Sequence, residues 1–130
     1  MNKSNEDLWP TEFTEEPADR APLLILREQA ARLGDKTANL VEGRVSAEPM
    51  PDGSGLLLQL TLVAPALGDY EYVLLRAVQP IDLYPVKMEF EGSRYEASDE
   101  QGFKLYLENL FKSQRTRRIV SSLVAQSRSA

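Results

Sequence analysis

The spacing of apolar residues switches period along the chain, and each switch marks an element. Leu23, Leu26, Ala30 and Leu33 recur at helical spacing behind Pro22, which predicts a helix from about Pro22 to Gly34, with Asp35 and Lys36 as turn. From Ala38 the period becomes two. Val41, Gly43, Val45 and Ala47 alternate with Glu42, Arg44, Ser46 and Glu48, the pattern of a strand with one wet face. Pro51-Asp52-Gly53 forms a turn, and residues 54–64 (SGLLLQLTLVA) read as a strand covered on both faces for part of its length. A third strand, 69–78, carries Tyr70, Tyr72, Leu74, Arg76 and Val78 on one parity and Glu71, Val73, Leu75 and Ala77 on the other. A fourth, 83–91, alternates Tyr84, Val86, Met88 and Phe90 with Pro85, Lys87, Glu89 and Glu91. Gly92-Ser93 then suits a two-residue hairpin turn, placing Glu91 opposite Arg94 and Phe90 opposite Tyr95, with a short fifth strand over 94–97.

The helical period returns at the C-terminal end. Ser98 with Gln101 three residues on has the form of a capping box, and Phe103, Tyr106, Leu107, Leu110 and Phe111 make the apolar stripe behind it. Ile119, Val120, Leu123 and Val124 form a second stripe, and Ser113 is placed to cap a separate helix. The expected fold class is therefore α+β: an antiparallel meander sheet of four to five strands with an N-terminal helix and two C-terminal helices, in a two-layer sandwich. Residues 1–20, acidic and without periodicity, are read as an arm on a single domain spanning 21–130. Trp9 and Phe13 within that arm are expected to dock on the parent domain.

Composition narrows the chemistry. The 130 residues contain no histidine and no cysteine, so the commonest general base near neutral pH, the thiolate nucleophile and the nitrogen and sulfur metal ligands are all missing. The serines lack a nucleophile-elbow or Ser-x-x-Lys pattern, residues 51–55 lack the alternating acids of a calcium loop, and the glycines sit in hairpins rather than ahead of a helix. No catalytic residue, metal ligand or cofactor is nominated. A pair of carboxylates joined by the fold remains as the enzymatic alternative. No apolar run approaches the roughly 20 residues that cross a bilayer. The opening MNKSNEDLWPTEF lacks the basic region and apolar core of a secretory signal, so a cytoplasmic location and no membrane contact are expected.

Charge is unevenly spread. The net charge is −5, yet residues 112–130 carry Lys112, Arg115, Arg117, Arg118 and Arg128 with no acid, while residues 1–20 carry six acids against two cations. Cations in the first turn of a helix oppose its dipole, so helix stability does not account for Arg115, Arg117 and Arg118; pairing with acids of the sheet or arm, or with a partner, does. A second constellation is Tyr70, Tyr72, Arg76 and Tyr84, residue types enriched at binding hot spots and placed on one sheet region by simple alternation.

Together these features point to a non-enzymatic protein-binding adaptor, accessory or inhibitory protein that acts through a sheet face or edge, in one version as a homodimer. Small size, acidity and a mixed chain also resemble the type III secretion chaperones of bacteria in outline, without a motif of that family and without the helix expected among its strands. A toxin-immunity protein shares the same gross properties. A small-molecule-binding domain with a pocket between helices and sheet is the other alternative. Nucleic acid is not the expected partner of an acidic chain that does not interleave aromatic with basic residues.

Overall fold

The computed structural model describes residues 5–13 and 15–130. Its elements follow the predicted order: α1 (Pro22–Lys36), β1 (Glu42–Pro49), β2 (Leu56–Ala64), a 3-10 turn over Pro65–Leu67, β3 (Tyr70–Gln79), β4 (Val86–Phe90), β5 (Ser93–Ala97), α2 (Glu100–Phe111) and α3 (Gln114–Arg128). The five strands form one antiparallel meander in the order β1-β2-β3-β4-β5. The helices lie on one of its faces, so the α+β class and the two-layer arrangement are as the periodicity predicts.

Three local expectations are corrected. First, α1 runs through Gly34 to Lys36, because the stop is made further on, where Ala38 and Asn39 take left-handed φ of 51° and 62°. The Thr37 hydroxyl donates to the Val41 carbonyl (2.9 Å) and accepts from the Val41 N–H (3.1 Å), fastening the connection and delaying β1 to Glu42. Second, α2 is capped by Asp99, whose carboxylate accepts from the Gly102 N–H at 2.8 Å, and not by Ser98. The charged acceptor at the positive end of the helix dipole is the stronger cap. Third, the β4–β5 turn is Glu91-Gly92, with φ of 51° and 78°, one residue earlier than Gly92-Ser93. Two positive φ values are the signature of the type I′ turn, whose twist matches the flanking strands. The register then places Met88 opposite Tyr95 and Glu89 opposite Arg94. Ser113 does cap α3, accepting from the Thr116 N–H at 3.2 Å.

The sheet has one apolar and one polar face. Leu58, Leu60, Leu62 and Ala64 of β2 face the helices with Val45 and Ala47 of β1, Leu75 and Ala77 of β3, and Val86 and Met88 of β4. Between Leu60 and Thr61 the β2–β3 register slips: Leu60 pairs Leu75, but Thr61 pairs Val73. Leu74 is the extra residue of a β-bulge, and beyond it the parity of β3 is inverted. This one residue decides where the tyrosines of β3 go.

Each helix takes a different part of the apolar face. α1 packs on β1, where a Cβ on Gly43 would stand 2.9 Å from Ala30 Cα; the glycine permits that approach. Its N-terminal Leu23 N–H is satisfied by Gln79 Oε1 (3.0 Å) at the end of β3. α2 packs on β5 through the fully buried Phe103 and a Tyr95–Tyr106 ring contact of 4.9 Å, while α3 lies across β2 and the 3-10 turn. The middle of the face, over β2 and β3, is left between them.

The arm does not dock as expected. Leu8, Trp9 and Phe13 are 87%, 76% and 76% exposed, and Trp9 and Phe13 meet each other with ring centroids 6.0 Å apart. No apolar surface of the domain receives them among the described residues. Contact begins at the root. There the Arg20 N–H donates to the Glu100 carboxylate (2.6 Å), the Tyr84 hydroxyl donates to the Arg20 carbonyl (2.8 Å), and the Arg20 guanidinium pairs with Glu28.

Candidate binding groove

The gap between the three helices is a groove of about 710 Å³. That volume lies within the range of about 300–1,000 Å³ typical of ligand-binding clefts. Its floor is apolar, made by Leu60, Leu62 and Leu74 of the sheet, Ile25 of α1, and Leu107 and Phe111 of α2. Leu74 reaches this floor because the bulge leaves both it and Leu75 buried.

The rim is cationic. Arg32 and Lys36 come from α1, Lys104 and Lys112 from α2 and the joint after it, and Arg117 from α3. The one acid lining the groove is Glu108, and it already pairs with Lys112 at 2.9 Å. Lys104 pairs with Glu100. Arg32, Lys36 and Arg117 make no salt bridge among the described residues. Five cations around one acid, on a chain of net charge −5, concentrate positive potential at the mouth of an apolar groove. With a single carboxylate on its walls, the groove does not assemble a pair of acids.

The arginines of α3 are dispersed by the helical turn of about 100° per residue. Arg115 turns away to the β4–β5 hairpin, where its guanidinium meets Glu91 at 2.8 Å. Hydrogen bonding to the Tyr72 phenol, followed by the charges of Tyr72 and Glu91, holds its pKa above the usual value. Arg117 faces the groove, and Arg118 is exposed outside it.

The tyrosine and arginine constellation is not a single patch. Beyond the bulge, Tyr70 and Tyr72 pair with Ala64 and Leu62 and share their helix-facing side. Before it, Arg76 pairs with Gln59 and projects to the open face, where its Nε donates to Gln59 Oε1 at 3.3 Å. Tyr84, in the loop before β4, is committed to holding the arm root. Burial, then the nearby carboxylates of Glu100, Asp19 and Asp99, push its phenol above the ordinary tyrosine value. Glu100 is held below the usual carboxyl range, first by its hydrogen bond to Lys104 and then by the Arg20 N–H.

The opposite sheet face is charged and largely self-neutralised. Arg76 stands opposite Glu89, Glu89 opposite Arg94, and Lys87 opposite Glu96, while Arg44 approaches Glu71 at 3.7 Å. Alternating signs across neighbouring strands favour the sheet and leave little net field. Of the apolar residues of this face, Leu57, Val73 and Val78 are half-buried between those side chains and Val63 is fully buried.

Sequence reasoning missed Arg32, Lys36 and Lys104. The signal was present in α1, where Gln29, Arg32 and Lys36 follow one another at helical spacing along a flank of the Ile25–Leu33 stripe. Nothing in the one-dimensional pattern joins that flank to Arg117. No protein-family model matches this chain, and no curated protein or solved structure is significantly similar to it.

Proposed function

We propose that this chain is a protein-binding module that receives an acidic, apolar-anchored segment of a partner protein in the groove between its helices, acting as an adaptor, accessory or inhibitory protein. One observation carries the reading: an apolar groove between the helices, with half-buried Leu33, Phe111 and Val120 on its walls, ringed by Arg32, Lys36, Lys104, Lys112 and Arg117 in an otherwise acidic molecule. A hydrophobic anchor supplies affinity on such a floor, and the rim selects the sign of what flanks it. The surface favoured moves from the sheet to the helix side. Cross-strand charge pairs occupy the open sheet face, and charged residues stand on both edge strands, Arg44 and Glu48 on β1 and Arg94 and Glu96 on β5.

The test uses two fluorescein-labelled peptides of identical apolar content, one with glutamates and one with lysines around a Trp and a Leu. The acidic peptide is expected to bind, to weaken with added salt, and to shift backbone resonances along α1, α2 and α3 rather than on the outer sheet face. Reversing Arg32, Lys36 and Arg117 to glutamate is expected to lower its affinity by about tenfold or more. Equal binding of both peptides, or shifts centred on Arg76 and Glu89, refutes this assignment.

A further inference from the structure

The kind of segment that the groove's chemistry calls for is carried by the chain itself. Leu8, Trp9 and Phe13 are large, apolar and exposed, and the acids Glu6, Asp7, Glu12, Glu15, Glu16 and Asp19 surround them. We propose that the arm of one copy lies in the groove of a second copy, and the second copy's arm in the groove of the first, giving a closed two-fold dimer. The inference rests on the groove reading above and commits its first occupant to a second copy of this chain.

Charge and area both support the exchange. The arm's acids complement Arg32, Lys36 and Arg117, the rim cations that make no salt bridge among the described residues. Burying two aromatic rings removes about 150–250 Å² of surface for each. Two reciprocal arms therefore remove about 600–1,000 Å² of ring surface before Leu8 and the smaller area of covered groove wall are counted, which brings the interface past the roughly 1,000 Å² that a specific contact needs. Because each copy offers the same arm and the same groove, both needs are met in a pair and the assembly closes.

The root fixes where the arm leaves the body. Glu100 and Tyr84 grip the backbone of Arg20 beside the first residue of α2, whereas Arg32 and Lys36 lie in the second half of α1 and Arg117 on α3. Held there, the arm leaves the body with its anchors facing solvent and its own groove open.

Light scattering and sedimentation of the 130-residue chain at micromolar concentration test the dimer. Trp9 is the single tryptophan, so its emission and its quenching by acrylamide report on the arm alone. The expected result is a dimer that dissociates as salt is raised, with Trp9 emission blue-shifted and protected only in the dimer. An arm variant, Trp9→Ser with Phe13→Ser, and a groove variant, Arg32→Glu with Lys36→Glu and Arg117→Glu, alter exposed residues, and circular dichroism checks that each is folded. Each is expected to be monomeric alone, and an equimolar mixture is expected to yield a heterodimer holding one intact arm in one intact groove. A monomeric parent chain overturns the proposal, whether Trp9 is free or is protected by the chain's own groove. So does either variant remaining dimeric, or a mixture that stays monomeric. If the acidic peptide still binds the groove while the chain is monomeric, the protein-binding function stands and only the exchange of arms falls.

Discussion

One sheet disposes of charge in opposite ways on its two faces. On the open face, Arg76, Glu89 and Arg94 stand in a row across β3, β4 and β5 with the acid between the two cations, and Lys87 stands opposite Glu96, so charges of both signs alternate across neighbouring strands. On the helix side, Arg32, Lys36 and Arg117 come from helices that pack on different parts of the sheet, and no described acid pairs with them. The first arrangement supports the fold locally. The second leaves an electrostatic demand that the fold does not meet, and it does so around an apolar floor. Charge that is cancelled within the molecule is poor ground for a binding site, and charge left in excess beside buried leucines is better ground.

The contrast can be broken most severely from the helix side. Phe103→Ala empties the position that ties α2 to the core and is expected to cost about 3–5 kcal/mol in chemical denaturation. Gly43→Val forces a side chain into the backbone of Ala30 and is expected to cost about 1–3 kcal/mol or more, the penalty of overpacking at the α1–β1 contact. Near-native stability in Gly43→Val would show that α1 rides further from the sheet than described. Ser113→Ala removes the cap that begins α3 and is expected to cost about 1 kcal/mol. On the open face, Glu89→Ala leaves two cations without their shared acid, yet at an exposed site it is expected to change stability by no more than about 0.5 kcal/mol. A larger loss there would mean that the charged row supports the sheet more than its exposure suggests.

The smallest effect concerns the arm root. The Glu100 carboxyl is held below its ordinary value of 4.5 in the folded chain, so the folded state favours its ionised form. Its contribution is complete above that value and is lost as the pH falls through the lowered folded value. Glu100→Gln is therefore expected to lower the melting temperature slightly at neutral pH and to converge with the parent protein only in acid, as the pH falls through that lowered value. Parallel curves across the acid range would assign the difference to packing.

The periodicities of two and 3.6 made the element order and the alternating parity of β1 and β4 legible, because burial acts residue by residue on each strand. Tyr95 was placed on its correct side, although its partner was named as Phe90 instead of Met88, because shifting the two-residue turn by one position preserves parity. β3 was different. It is apolar on both faces, so nothing in its alternation marks Leu74 as an extra residue, and Tyr70 and Tyr72 were grouped with Arg76 on a face they do not share. Arg117 was singled out without its neighbours, because Arg32 and Lys36 lie some eighty residues away and meet it only across the groove.

What the linear chain determined is the set of amphipathic units, their order, and the acidic, aromatic character of the arm, since each depends on nearest neighbours and local burial. The groove was decided by tertiary structure alone. It exists because a bulge turns one strand over, because a glycine lets α1 settle on β1 while α2 takes β5 and α3 the far end, and because three helices covering separate parts of one sheet cannot close over its centre.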